Sequence, residues 1–338
     1  MSFQFQEVFP AERTAAINVA IETAFGGAKL EDVNLLTGGL STAPVYKLTV
    51  DNRPYVMKLD VLHVAATVDL SEKVALAAQA GIAPALLYRN VESGITISDF
   101  VENKPIRSIF TGEVLADRLA GAVKKIHAVP YTIPGDDLKA TIDHILTGFR
   151  QTNILSGEIP DECLRRYAEV REIYPWQDTD KVFSHNDLNP SNILCDGQDI
   201  WVIDWNTAFV NDRYVDLAGV ANFFIHMPEQ EAVFLKAYFG DELDEYKKAR
   251  FYVMRQISRI IYALMMLHLA AKAKPADYKH DQDVAGVLLR DVGPAIGAGK
   301  LSLATYEGQF MYGKALMHEA VQQMRTARFE ASLAMLKG

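Results

Sequence analysis

The sequence predicts an α+β chain of two lobes, an antiparallel sheet over the first hundred or so residues and a mainly helical remainder. Three observations carry this. Short runs rich in Val, Leu and Tyr at 33–37, 44–50 and 54–59 are separated by Gly38-Gly39 and by Asp51-Asn52, residue pairs that suit tight turns. Beyond about residue 103, apolar residues recur mostly at helical spacing. The length of 338 residues is also more than one ordinary domain needs.

Each element follows from its own signals. Residues 11–25 have helical periodicity, and Gly26-Gly27 closes them. The three strand-like runs then form a meander. An Ala- and Val-rich helix over 62–80 stops at Gly81, and two more strands follow at 85–90 and 94–101. The expected lobes are therefore 1–102, with a hinge at about 98–103, and 103–338. Helices are expected in the second lobe at 113–127, 140–148, 161–173, 212–226, 229–239, 243–272, 277–289 and 310–335. One hairpin interrupts them, with strands 193–195 and 200–202 around Asp196-Gly197. Gly293, Gly297 and Gly299 mark a loop with no strand before it, so it does not read as a phosphate cradle.

Composition excludes several classes. Hydrophobic residues make up 49% and charged residues 23%, which rules out disorder, collagen and coiled coil as whole-chain readings. A net charge of −9 with no basic stripe argues against binding nucleic acid, and it is compatible with a cationic small substrate. Two cysteines, Cys163 and Cys195, are too few for a disulfide scaffold and form no CxxC motif. The N-terminus lacks the basic and apolar regions of a signal peptide, and the apolar stretch 257–271 is interrupted by Arg259 and His268. A cytoplasmic protein with no membrane partner is the expectation; a homo-oligomer is not indicated.

The segment 182–217, VFSHNDLNPSNILCDGQDIWVIDWNTAFVNDRYVDL, carries the chemistry. Asp187 and Asn192 lie five residues apart in a polar loop, where Pro190 prevents an early helix. Asp204 directly follows the apolar strand beyond the hairpin. Alone, an H-x-D is usually a turn and a strand-end Asp is usually a cap. The joint pattern of H-x-D-x-x-x-x-N, hairpin and apolar-apolar-Asp-Trp is a hard-oxygen arrangement suited to Mg²⁺, and phosphoryl transfer needs such an arrangement.

This stretch resembles the catalytic loop and metal-binding segment of the aminoglycoside phosphotransferase and choline kinase superfamily, relatives of the protein kinases. The likeness runs from about residue 35 to about residue 264. It implies a bilobal protein-kinase-like fold and an ATP- and Mg²⁺-dependent kinase acting on a small-molecule acceptor. Asp187 would be the catalytic base, Asn192 and Asp204 the metal ligands, and His185 a brace for the loop. Asp216, in YVDLA, resembles the family Asp that anchors the catalytic loop from a helix start. Lys58, in YVMKL, would contact the phosphates, with Glu72 as its ion-pair partner and Asp69 as an alternative. The loop 37–43, TGGLSTA, would cover the phosphates with Ser41 and Thr42. The backbone of Ser98-Asp99-Phe100-Val101 would bind adenine, which makes Asp99 and Val101 cofactor residues.

Departures from the protein-kinase pattern narrow the substrate. Asn186 stands where those enzymes have Arg, and Asn189 where they usually have Lys. Only twelve positions separate Asp204 from Asp216, too few for a full activation segment. A small molecule is therefore the expected acceptor, either choline or ethanolamine-like or, alternatively, an aminoglycoside or another sugar or amino alcohol. Trp205, Phe209, Tyr214, Phe223, Phe224 and Asp212 are candidates for a cation cage, although core packing is the commoner role for such aromatics. A pseudokinase scaffold is disfavoured because Lys58, Asp187, Asn192 and Asp204 are all present.

Overall fold

The computed structural model describes residues 8–36, 43–60, 69–177, 180–275, 279 and 281–338. The chain divides into two compact units, Met1–Thr132 with Asp187–Ala208, and Ile133–Asn186 with Phe209–Gly338.

The first unit opens with helix α1 (Thr14–Phe25), whose residues Ile17, Ala20 and Ile21 are buried at i, i+3 and i+4. Strands β1 (Leu30–Leu36), β2 (Val45–Val50) and β3 (Arg53–Leu59) form the predicted meander. Asp51 and Asn52 both adopt left-handed φ, 47° and 63°, as the twist of a two-residue hairpin requires. Helix α2 (Asp69–Gln79), strands β4 (Leu86–Asn90) and β5 (Ile95–Asp99), and helices α3 (Ile106–Ile109) and α4 (Gly112–His127) complete the segment. The sheet is five-stranded with order β1-β2-β3-β5-β4, and its described pairs are all antiparallel. Its core alternates along the strands: Tyr46, Leu48, Val50, Met57, Leu59, Ile95 and Ile97 point to one face and pack with α1.

The second unit takes helices α5 (Leu138–Thr152) and α6 (Glu158–Ile173) and strand β6 (Lys181–Ser184). The chain then returns to the first unit through a 3-10 turn at Pro190–Asn192. The expected hairpin follows as β7 (Ile193–Cys195) and β8 (Ile200–Val202), then a second 3-10 turn at Trp205–Thr207. Strand β9 (Phe209–Asp212) re-enters the second unit and pairs antiparallel with β6, a pair the sequence did not announce. Helices α7 (Arg213–Phe224), α8 (Pro228–Phe239), α9 (Glu245–Ala273), α10 (Leu289–Gly297), α11 (Tyr306–Met324) and α12 (Ala327–Lys337) follow. Helix α9 is central, with α5, α7, α11 and α12 packed against it.

The change in composition near residue 103 separates sheet from helices, whereas packing groups α4 and the β7–β8 hairpin with the sheet. Lys104 N–H donates to the Cys195 carbonyl at 2.7 Å, and α4 contacts β8.

Three expectations for the C-terminal part are corrected. No helix covers 281–288, because the carboxylates of Asp281 and Asp283 accept backbone N–H groups of Asp283, Ala285 and Gly286 and hold turns instead. Gly293 and Gly297 lie in α10, and of the three loop glycines only Gly299 takes a left-handed φ, 68°. The single helix expected over 310–335 is two, because Thr326 accepts a hydrogen bond from Phe329 N–H and starts α12 afresh.

Candidate active site

Within the first unit, the loop following Asn186 is held by its own amides. Asn192 is buried, and its Nδ2 donates to both the carbonyl and the carboxylate of Asp187, at 2.9 and 3.1 Å. Asn189 Nδ2 donates to the other carboxylate oxygen of Asp187 at 3.0 Å, while its Oδ1 accepts Ser191 N–H and caps the 3-10 turn. Both oxygens of Asp187 are thus oriented by side-chain amides. Because Asn192 spends its nitrogen on Asp187, its Oδ1 is the atom left for another partner.

Asp204 is reached through the hairpin. Ile203 N–H donates to the Asn192 carbonyl at 3.0 Å, which fixes the backbone just before Asp204 to the loop. Asp204 itself is left-handed, φ 64° and ψ 63°, a conformation that Asp tolerates better than most residues. Its Oδ1 accepts from Lys58 Nζ at 3.2 Å and from Asn206 at 2.9 Å.

Lys58 lies on β3, on the face opposite Met57 and Leu59, and forms a second ion pair with Asp60 at 3.3 Å. Burial works to lower the Lys58 ammonium, but the charges of Asp204 and then Asp60 outweigh it, so its pKa lies above the ordinary lysine value. The expected partner Glu72 is not paired with Lys58. Leu70, Lys73 and Ala77 form the buried stripe of α2, and Glu72 falls off that stripe and is exposed. Sequence reading missed Asp60, which directly follows β3 and reaches Lys58 from two residues further along the chain.

Among the cofactor residues implied by the resemblance, Ser41 and Thr42 lie outside the described residues. Asp99 ends β5 opposite Tyr55, with its N–H donated to the Ala85 carbonyl at 3.0 Å and its side chain exposed. Val101 is half-buried two residues further on. The following segment is pinned to β7, where Cys195 N–H donates to Asn103 Oδ1 at 3.0 Å.

Within the second unit, Asp216 lies in the first turn of α7 and binds main-chain N–H groups. It is 1% exposed and accepts the N–H groups of His185 and Asn186, both at 2.7 Å. Asn186 is left-handed at φ 65°, and its Oδ1 accepts from Asn211 Nδ2 at 2.8 Å. The cage candidates are mostly structural. Trp205, Tyr214 and Phe224 are buried, and the Phe223 ring packs edge-on against Tyr262. Asp212 caps α7 through Tyr214 N–H and accepts from Tyr174 at 2.7 Å and from the buried Arg250 at 2.8 Å, so its charge is already matched.

Among the described residues, no group of three or more His, Cys, Asp and Glu is placed to hold a metal. Asn192 and Asp204 offer one amide oxygen and one carboxylate, a sparse hard-oxygen set that fits a cation shared with phosphate groups rather than caged by protein alone.

Residues 32–252 match the model of the phosphotransferase enzyme family. An uncharacterized protein of Metamycoplasma hominis is 28% identical over 146 residues, which are 42% of this chain and only 28% of that protein's length. A choline/ethanolamine kinase family protein from Mesorhizobium loti superposes with TM-score 0.67 at 19% identity, covering 95% of this chain and 99% of that one. Choline kinase from Cryptosporidium parvum gives TM-score 0.66 at 13% identity over 97% and 99%. An aminoglycoside phosphotransferase in a ternary complex with streptomycin and ATP gives 0.56 at 14% identity over 77% and 90%. With nearly two thirds of its length matched by that one model, the chain belongs to the phosphotransferase enzyme family.

Proposed function

We propose that this phosphotransferase moves the γ-phosphate of ATP to a hydroxyl of a small amino alcohol of the choline or ethanolamine class. The observation that carries the reaction type is the pairing of an amide-oriented Asp187 with the Asn192 and Asp204 oxygens and Lys58. Asp187 would accept the proton of the attacking hydroxyl, and the amides of Asn189 and Asn192 set the plane of its carboxylate. Asn192 Oδ1 and Asp204 would hold Mg²⁺, which supplies charge neutralisation on the transferring phosphoryl group. Lys58 would neutralise phosphate charge from β3, and Asp99 and Val101 would border the adenine.

The acceptor class rests on a different observation. The choline/ethanolamine kinase family protein and one choline kinase superpose with TM-scores of 0.67 and 0.66, against 0.61 for a putative aminoglycoside phosphotransferase and 0.56 for the streptomycin complex, while other choline and ethanolamine kinases lie at 0.53–0.57. The buried aromatics and the neutralised Asp212 give no support to the particular cage expected from sequence.

The test is ADP release from ATP-Mg²⁺ against a panel of choline, ethanolamine, aminoglycosides, homoserine and sugars. Turnover with one of the amino alcohols supports the reading, and turnover only with an aminoglycoside or sugar overturns the acceptor class. Asp187→Asn should cut turnover by roughly 10²–10⁴-fold, the size of a general-base contribution, and leave ATP binding nearly intact. Wild-type turnover in that variant would remove Asp187 from the mechanism.

A further inference from the structure

The residue that holds Lys58 differs from the one the resemblance implied, and the difference has a functional meaning. Lys58 has two carboxylate partners among the described residues, Asp60 at 3.3 Å and Asp204 at 3.2 Å. They are not equivalent. The Asp204 side chain is 37% exposed and sits at the metal-ligand position, so its contact with lysine is open to competition. The Asp60 side chain is 12% exposed and its backbone is fixed on both sides. Asp60 N–H donates to the Gly94 carbonyl at 2.8 Å, and its carbonyl accepts from Arg13 at 3.4 Å. Glu72 is exposed on α2 and forms no ion pair among the described residues.

We propose that Asp60 is the positioning residue for Lys58, taking the part that an acidic residue of the following helix would otherwise play. This rests on the reading of Lys58 as a phosphate contact. A lysine side chain loses rotamer freedom when fixed, and a buried carboxylate two residues further along the chain, just past the end of β3, pre-orders it before nucleotide arrives. Asp204 can then turn to a metal while Lys58 keeps a partner. Lys58 stays aimed through the cycle because one of its two anchors directly follows the strand that carries it.

The test is calorimetric titration of the full chain with ATP-Mg²⁺, together with KM for ATP and thermal melting. Asp60→Asn should weaken ATP binding about 10–100-fold, the range seen when a group orienting a ligand-holding side chain is removed. Asp60→Glu should recover part of the loss, and Glu72→Gln should bind as wild type does. In a Lys58→Met background, Asp60→Asn should add less than twofold, because its effect passes through the lysine. Wild-type affinity in Asp60→Asn, a full additional loss in the Lys58→Met background, or a loss in Glu72→Gln would each overturn the proposal. Glu72 is on the surface, so that last arm reads out even if Asp60→Asn folds poorly. A wild-type chain that binds no ATP-Mg²⁺ would instead overturn the phosphate role of Lys58 itself, and this proposal with it.

Discussion

Asp216→Asn removes, with the smallest change of shape, the carboxylate that holds the backbone just before the proposed catalytic loop. The native carboxylate is 1% exposed, and each oxygen accepts one main-chain N–H at 2.7 Å, from His185 and Asn186. Hydrogen bonds to a charged partner contribute about 1.5–3 kcal/mol each. Asparagine can keep only one of the two. Its amide nitrogen would face the second N–H donor to donor, leaving that group buried and unmatched at about 1–3 kcal/mol. Because side-chain rotation relieves part of this, the expected loss is about 2–4 kcal/mol. Every 1.4 kcal/mol is tenfold, so amide exchange at His185 and Asn186 should accelerate by about 30–1,000-fold where it proceeds by local opening. Hydrogen exchange of peptides spanning 183–188 reads this directly, and urea unfolding gives the global counterpart. Asp199→Asn, at an exposed turn of the hairpin, is the matched control. Turnover should fall with the exchange protection, since Asn186 is covalently joined to Asp187. Exchange and urea midpoint both within about 0.5 kcal/mol of wild type would refute the argument that these two bonds hold the loop.

Two further predictions concern stability. A Cβ on Gly308 would stand 1.9 Å from the Ser302 carbonyl oxygen, an atom of the main chain that cannot swing aside, whereas Gly293 in α10 has open space. Gly308→Ala should therefore lower the melting temperature by an amount equivalent to about 1–3 kcal/mol, while Gly293→Ala should raise stability by about 0.5–1 kcal/mol; equal signs would refute the packing argument. The hydrogen bond from Arg325 holds the Glu162 carboxyl below the usual carboxylate range, and Arg171 does the same for Asp143. A depressed folded-state pKa stabilises above the unfolded value near 4 and is lost as pH falls through the folded one, so these pairs should weaken below about pH 4.5. Both are partly exposed, so each should contribute no more than about 1 kcal/mol, and Glu162→Gln should flatten the acid limb of the melting curve slightly. An acid limb unchanged in that variant would show the Glu162–Arg325 pair to be energetically silent.

Local signals made most of the fold legible. Asp51-Asn52 between two alternating runs can hardly be anything but a hairpin turn, and the long helices declare themselves by period. What the sequence hid depends on partners distant in the chain. Strands β6 and β9 are four residues each, too short to show alternation, and become strands only by pairing with one another. Thr326 splits α11 from α12 because it finds an N–H to cap, although the apolar stripe runs on past it. Glu72 shows the same limit at the site: its distance from Gly81 locates it on the helix, but the buried face is chosen by what Leu70, Lys73 and Ala77 pack against.

Asn186, next to the proposed base Asp187, shows why a departure from the protein-kinase pattern can have a backbone cause. Asn186 stands where protein kinases carry Arg, and sequence alone reads this as the loss of a partner for a phosphorylated loop. The structure adds an independent reason. Residue 186 adopts φ 65°, a left-handed conformation that costs most L-residues about 1–2 kcal/mol and is easiest for Gly, Asn and Asp. Asn also uses both ends of its amide there, donating to the Ser184 carbonyl at 3.2 Å and accepting from Asn211 at 2.8 Å. Asp204 meets the same backbone demand at φ 64° while presenting a carboxylate to Lys58. At both positions the residue must satisfy a left-handed main chain and a polar contact at once, and Asn and Asp are the side chains short enough to do so. The proposed catalytic segment is therefore readable as a motif because geometry and chemistry select from the same short list of residues.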